Sequence, residues 1–213
     1  MMETRQTEAV ATWFAALRDL QARKRIARRL VLLQAGHVGD VKSVGDTVSE
    51  LRIDHGPGYR PYFTRRGATI VRLLVGGDKA SQERDPGTRH RKSEGTGGWG
   101  MIPPHDHRCQ RHCDMTLKTT PFDPMDHLDT DDYIDLLNDA LATGDHSVVG
   151  NVVGMIASAR GMSALARDTG IGRSSLYKAV GAQANPTLET LLKVLAGLDI
   201  DLRAERHTRP EAA

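Results

Sequence analysis

Apolar residues in the first part of the chain follow two different periods. Between residues 7 and 35 they recur at helical spacing in two sets. The first set is Val10, Trp13, Phe14, Leu17 and Leu20. The second set is Ile26, Leu30 and Leu33, and Gly36 follows it as a helix stop. This spacing predicts two helices. Past Gly45 the period becomes two, in three segments separated by glycine-containing turns: VSELRIDHG, GYRPYFTRRG and ATIVRLLVGG. The alternation predicts three antiparallel strands.

The alternation also assigns side chains to the two faces of this sheet. In the second strand, one face receives Tyr59, Pro61 and Phe63. The other face receives Arg60, Tyr62 and Thr64. In the first strand the alternation sends one pair to the core and three residues outward: Leu51 and Ile53, then Glu50, Arg52 and Asp54. Pro61 has no N–H for the ladder, which indicates either an edge position for its strand or a damaged position in the sheet.

The last part of the chain has helical spacing. Thr130 is the predicted N-cap of a helix that stops at Gly144 and buries Ile134, Leu137 and Leu141. A further helix over residues 147–159 is predicted to bury a row of branched residues: Val148, Val149, Val152, Val153 and Ile156. After Thr187, another predicted N-cap, leucines at i, i+3, i+4 and i+7 predict a closing helix: Leu188, Leu191, Leu192 and Leu195.

Residues 162–180, MSALARDTGIGRSSLYKAV, have the pattern of a helix-turn-helix. Ala166 is small where two helices would cross, Gly170 can adopt the positive φ of the turn, and Leu176 would point inward. The second helix would present side chains suited to phosphates and base edges: Arg173, Ser174, Ser175, Tyr177 and Lys178. The loop after it would add Gln183 and Asn185. An ordinary pair of packed helices is the alternative.

These residues resemble the Xre-type DNA-binding domain, and residues 117–206 as a whole resemble the HigA-type antitoxin of bacterial addiction modules. The resemblance implies an all-α bundle that binds operator DNA and neutralises a toxin. Because one short helix reads few bases, we expect a homodimer on a palindromic site.

Charge is unevenly distributed. Residues 1–85 hold 15 Lys or Arg against 10 Asp or Glu, whereas residues 115–213 hold 9 against 14. A basic front part suggests that it binds a polyanion such as nucleic acid, and the acidic part could cover that basic surface. The alternative is two solvated surfaces that differ in charge.

No apolar run approaches the ~20 residues needed to cross a bilayer, and the start lacks the apolar core of a signal peptide. We therefore expect a cytoplasmic protein.

One face of the predicted sheet gathers Arg52, Arg60 and Tyr62, and the following loop adds Lys79. Such a set could promote attack of an RNA 2′-hydroxyl on the adjacent phosphorus, because arginines hold phosphate oxygens and a tyrosine can stack on a base. This chemistry needs neither a metal nor a cofactor. In the alternative, the arginines only pair across the strands with two acidic residues, Glu50 and Asp54.

The segment SELRIDHGPGYRPYFTRRG, followed by GGDKASQERD, resembles the RelE/HigB-type toxins, which are ribosome-dependent mRNA endonucleases. The resemblance covers about residues 7–85 and implies a small domain of two helices and an antiparallel sheet. It also implies that the catalytic residues are Arg52, Arg60, Tyr62 and Lys79. The RNA-binding residues that it implies are Lys42, Arg65 and Arg66. The helix with which that family continues after this loop is not readable here.

Residues 86–114 have no period and are rich in Gly, Pro, Arg and His, which predicts a disordered linker. Their His and Cys residues fit no standard structural zinc spacing, so we expect no metal: His105, His107, Cys109, His112 and Cys113. The abrupt change of composition suggests translation out of frame, with Met115 as the original start of the second part. An evolved linker is the alternative.

The sequence therefore predicts an α+β chain with a RelE-like domain at 1–85, a linker at 86–114 and an all-α helix-turn-helix domain at 115–213. The expected function is that of a toxin-antitoxin polypeptide that acts on ribosome-bound mRNA and on operator DNA. The alternative is a DNA-binding regulator whose front domain is a non-catalytic protein-binding module.

Overall fold

The computed structural model describes residues 3–44, 48–66, 70–78, 118–180 and 186–204. The chain forms two compact units. The sheet unit comprises Met2–Arg29 and Val38–Asp123, and the helical unit comprises Leu30–His37 and Pro124–Ala213. Each unit thus includes a segment from the other part of the sequence. The predicted α+β class is confirmed, whereas the linear division at residues 85 and 115 stays a prediction.

Within the residues that the structure describes, the sheet unit contains six strands and most of two helices. In chain order these are β1 (Glu3–Thr7), α1 (Glu8–Ala16), α2 (Leu20–Ala35), β2 (Val41–Ser43), β3 (Val48–Leu51), β4 (Tyr59–Arg66), β5 (Ile70–Asp78) and β6 (Thr119–Pro121). The strand order across the sheet is β2-β3-β4-β5-β1-β6. β1 pairs with β5 in parallel, and the other neighbours are antiparallel. The three predicted strands are therefore confirmed as β3, β4 and β5.

Strand β4 lies inside the sheet, between β3 and β5, so the expectation that Pro61 marks an edge strand was wrong. Pro61 pairs with Gly76, and the register of β4 and β5 shifts between Tyr62 and Phe63. A proline in an inner strand is tolerated next to such an irregularity, where the ladder is already interrupted. The predicted alternation holds, because Tyr59, Pro61 and Phe63 are all buried.

Strand β6 closes one edge of the sheet. It pairs with β1 in the register Arg5↔Pro121, Gln6↔Thr120 and Thr7↔Thr119. The next residue, Phe122, is buried, and its ring lies edge-on to that of Phe14 in α1, with the centroids 5.7 Å apart. Residues that follow the predicted linker therefore complete the front sheet.

In the helical unit, the described residues form a short 3-10 helix (Pro124–His127) and five α-helices. These are α3 (Thr130–Ala142), α4 (His146–Arg160), α5 (Met162–Thr169), α6 (Arg173–Ala179) and α7 (Leu188–Gly197). The end of α2 joins them: the side-chain amide of Asn151 in α4 donates to the carbonyl oxygen of Ala35 at 2.9 Å. In the described part of the chain no single helix is long and apolar enough to span a bilayer; α4 and α5 reach that length only together, across a bend of 103°.

The start and the buried face of α3 differ from the prediction. Asp129, not Thr130, is the N-cap, and it forms a reciprocal capping box with Asp132. The predicted face of Ile134, Leu137 and Leu141 is wrong, because Ile134 and Leu141 are 42% and 39% exposed. The buried apolar positions are Leu136, Leu137 and Ala140. This neighbouring stripe also follows the helical period, but it includes a small alanine that the prediction passed over.

Helices α4 and α7 were predicted more closely. In α4, Val148, Val152, Val153 and Ile156 are buried as expected, whereas Val149 is half-buried. Thr187 caps α7 by accepting a hydrogen bond from the backbone of Thr190, as predicted. The leucine stripe of α7 is partly wrong. Leu195 is buried and Leu191 half-buried, but Leu188 and Leu192 are 67% and 46% exposed, and Val194 and Leu198 complete the buried face instead.

Candidate nucleic-acid interfaces

Helices α5 and α6 form the predicted helix-turn-helix. Gly170 ends α5 in the left-handed conformation, with φ of 66°, as the turn requires. Leu176 of α6 is fully buried, and Leu165 of α5 is 2% exposed. The predicted roles of Gly170 and Leu176 are confirmed, and the buried side of α6 is therefore its Leu176 side.

The other side of α6 carries the predicted DNA-contacting residues. All five are exposed: Arg173, Ser174, Ser175, Tyr177 and Lys178. The guanidinium carbon of Arg173 lies 5.7 Å from the centroid of the Tyr177 ring, within cation–π range. The ring can thereby orient the guanidinium in the absence of a ligand. Gln183 and Asn185 lie outside the described residues.

A close backbone contact holds the end of α6 on α4. Gly154 is buried within α4, and a methyl group built on it would overlap the carbonyl oxygen of Val180, the residue that ends α6. Only glycine permits this approach. Sequence reasoning missed Gly154, although a glycine inside a helix, where it costs about 1 kcal/mol relative to alanine, was the available signal.

In the sheet unit, the predicted catalytic arginines meet at one carboxylate. Glu50 Oε1 lies 3.3 Å from Arg52 Nε and 3.4 Å from Arg60 Nε, and the Tyr62 hydroxyl donates to Glu50 Oε2 at 3.4 Å. Glu50 was expected to point outward into solvent. It does lie on the arginine face, but it is only 7% exposed, because the side chains that it pairs with cover it.

Two further acids extend this arginine cluster, which we define as Glu50, Arg52, Arg60 and Tyr62. Asp54 lies 3.5 Å from Arg60, and Asp40 lies 4.0 Å from Arg52. Arg60 is largely covered, with a side chain 11% exposed, whereas that of Arg52 is 37% exposed. The alternative that these arginines pair with acidic residues is therefore present in the structure, across the strands for Arg60 and within one segment for Arg52.

The remaining predicted site residues of the sheet unit are the RNA-binding candidates and the catalytic candidate Lys79. Lys42 of β2 stands opposite Glu50, which in turn stands opposite Tyr62, so the three form one row across β2, β3 and β4. Lys42 is exposed in that row. Arg65 is exposed further along β4, beyond the register shift. Lys79 and the side chain of Arg66 lie outside the described residues. The structure thus places Lys42, Arg52, Arg60 and Tyr62 around Glu50, and Arg65 further along β4.

Comparison with known proteins identifies one part of this chain. Residues 118–206 match a family model described as probable addiction module antidote protein. Two proteins of Haemophilus influenzae, each described only as uncharacterized, are also similar. One is 42% identical over 84 residues, which cover 39% of this chain and 85% of that relative. The other is 38% identical over 93 residues, which cover 43% of this chain and 96% of that relative.

No solved structure matches the chain. An antidote acts against a toxin, so the family match implies a toxin partner. Through residues 118–206, the chain belongs to the family of probable addiction module antidote proteins.

Proposed function

We propose that this chain is an addiction-module polypeptide whose helical unit represses transcription by binding operator DNA through α6. The observation that carries the proposal is the division of α6 into a buried side at Leu176 and a fully exposed polar side. A helix with this division, placed second after a glycine turn, can enter the major groove without disturbing the core.

The exposed residues of α6 divide into base-reading and phosphate-binding groups. Arg173 has the planar guanidinium that can hold O6 and N7 of a guanine together, and the Tyr177 ring beside it restricts its orientation. Lys178, as a compact charge, suits a phosphate. Ser174 and Ser175 can donate to either. Because α6 has only seven residues, we propose that two copies bind a palindrome as a homodimer.

Lys178 and Arg173 give this proposal a test with two distinct outcomes. The full chain is titrated onto the DNA upstream of its own gene at several salt concentrations. Lys178→Ala should weaken binding to all sequences and lower the salt slope by about 1, while Arg173→Ala should relax discrimination at one base pair. Equal affinity of both variants and the unaltered chain for that DNA would exclude α6 as the reading helix.

For the sheet unit, we propose the RelE/HigB-like mRNA cleavage that the sequence resemblance implies. Glu50 would take the proton of a 2′-hydroxyl, whose oxygen then bonds to phosphorus. The bond from phosphorus to the 5′-oxygen of the next nucleotide breaks, and Tyr62 protonates that leaving oxygen and recovers a proton from Glu50. Arg52 and Arg60 would hold the phosphate oxygens. The products are a 2′,3′-cyclic phosphate and a 5′-hydroxyl.

The contacts of Glu50 also favour a second function, that of a non-catalytic protein-binding module. Both predicted catalytic arginines already have a carboxylate within 3.4 Å, so an RNA phosphate must compete with it. Translating ribosomes incubated with the full chain, and with a Phe122→Ala variant in which β6 is loosened, distinguish the two. If the full chain or the Phe122→Ala variant cleaves the mRNA, and Arg60→Ala abolishes that cleavage, the enzyme is supported. Intact mRNA with both supports the binding module.

A further inference from the structure

We propose that the edge of β1 opposite β5 is a docking surface for an extended peptide, and that residues 119–122 of the antidote region are its ligand. The inference rests on the proposed function, since it assigns the contact by which an antidote engages a toxin-like sheet. The matching family region begins at residue 118, and residues 118–123 belong to the sheet unit. The first residues of the antidote region are thus built into the front sheet.

Backbone pairing supplies the first part of this contact. The Phe122 N–H donates to the Thr4 carbonyl oxygen at 3.0 Å, and three residue pairs precede it in antiparallel register. β5 covers the other edge of β1, so the peptide occupies the edge that remains. Addition of a strand to an exposed sheet edge is a common mode of peptide recognition, in which main-chain bonds give affinity and side-chain pockets give specificity.

Two side chains make the docking selective. Arg5 of β1 donates from Nε to the Thr119 hydroxyl at 3.0 Å and from Nη2 to the Thr119 carbonyl at 2.8 Å. Phe122 fills the apolar end of the surface against Phe14. The surface therefore fits a short extended peptide with a hydroxyl residue followed, three positions later, by an aromatic residue.

Pro121 marks the outer limit of the docked strand. Because the Phe122 N–H faces β1, antiparallel alternation turns the nitrogen of Pro121 away from β1 and the N–H of Thr120 toward it. A proline is tolerated only where no ladder bond is required, so Pro121 is compatible with an outermost strand and disfavours addition of another strand beyond it. The peptide thereby completes the sheet and also terminates it.

Thr120 offers a matched pair of variants, because its side chain is exposed. Thr120→Pro removes its N–H, and Thr120→Val keeps it. In the full chain, amide exchange at Phe122, whose N–H donates to Thr4, should become at least tenfold faster in Thr120→Pro and stay unchanged in Thr120→Val. Exchange in α3 to α7 should not change in either variant. Phe122→Ala, which keeps every N–H, provides a second test and should accelerate exchange at the amides of residues 120 and 122.

Peptide binding then tests whether the edge accepts the segment as a ligand. A labelled peptide of residues 117–124 should bind the Thr120→Pro chain and bind at least tenfold more weakly when it carries Phe122→Ala. Unaltered exchange in Thr120→Pro and Phe122→Ala, or no difference between the peptides, would overturn the docking proposal. Neither readout requires RNA cleavage or DNA binding, so failure of the docking is distinguishable from failure of the proposed function.

Discussion

Gly154 in α4 lies directly against the main-chain carbonyl of Val180, at the end of α6, with no space for a side chain between them. The helix that carries the predicted DNA contacts is therefore positioned by a backbone contact with a buried core helix. Any substitution at Gly154 must move α6, α4 or both.

Gly154→Ala is expected to destabilise the chain by about 1–3 kcal/mol, because its methyl group overpacks a rigid backbone contact. The measurement is chemical denaturation followed by far-UV circular dichroism. Gly172→Ala is the matched control, since Gly172 has no close neighbour and an ordinary negative φ, and it should cost less. Equal stability of the two variants would contradict the contact.

Glu50→Gln is expected to lower the free energy of unfolding by about 1–3 kcal/mol, because Glu50 accepts charge-assisted hydrogen bonds from arginine and is itself buried. Asp54→Asn is the control. Asp54 also pairs with Arg60, but its side chain is 83% exposed, and such pairs contribute about 0–1 kcal/mol. If the two variants lose stability equally in denaturant titrations, Glu50 is not the centre of the arginine cluster.

Asp145 links the stability of α4 to pH. The backbone N–H of Ser147 donates to the Asp145 carboxylate at 2.8 Å, and this bond lowers the pKa of Asp145 below its ordinary value. A lowered folded-state pKa contributes stability above the unfolded-state pKa, and that stability is lost as the pH falls through the folded value. Asp145→Asn should therefore be less stable at neutral pH, and the difference should shrink below about pH 4. Thermal unfolding of both proteins from pH 7 to pH 3 measures this difference in stability. A difference that stays constant over this range would contradict the stabilising role of the Asp145 carboxylate.

Features encoded by local periodicity were predictable from the sequence. The paired strands β3 to β5 and the turn at Gly170 follow from alternation, helical spacing and the preference of glycine for positive φ. The exposed set on α6 follows from the same spacing once Leu176 is placed inward.

Features that depend on tertiary partners were not predictable in this way. Strands β1, β2 and β6 are three to five residues long, too short to show a period. The burial of Glu50 depends on side chains of β4 that the sequence of β3 does not reveal. For α3 and α7, two adjacent stripes both follow the helical period, and packing of neighbouring helices decides which one is buried.

The central claim is that the helical unit recognises DNA through α6, and a footprint of the full chain on the DNA upstream of its own gene tests it most directly. We expect protection of two related half-sites whose centres lie about 10 base pairs, or a multiple, apart. Arg173→Ala should weaken that binding by about 1–3 kcal/mol, whereas Lys193→Ala, which removes the same charge from α7, should leave it nearly unchanged. Absence of a sequence-specific footprint, or equal effects of the two substitutions, would contradict the account.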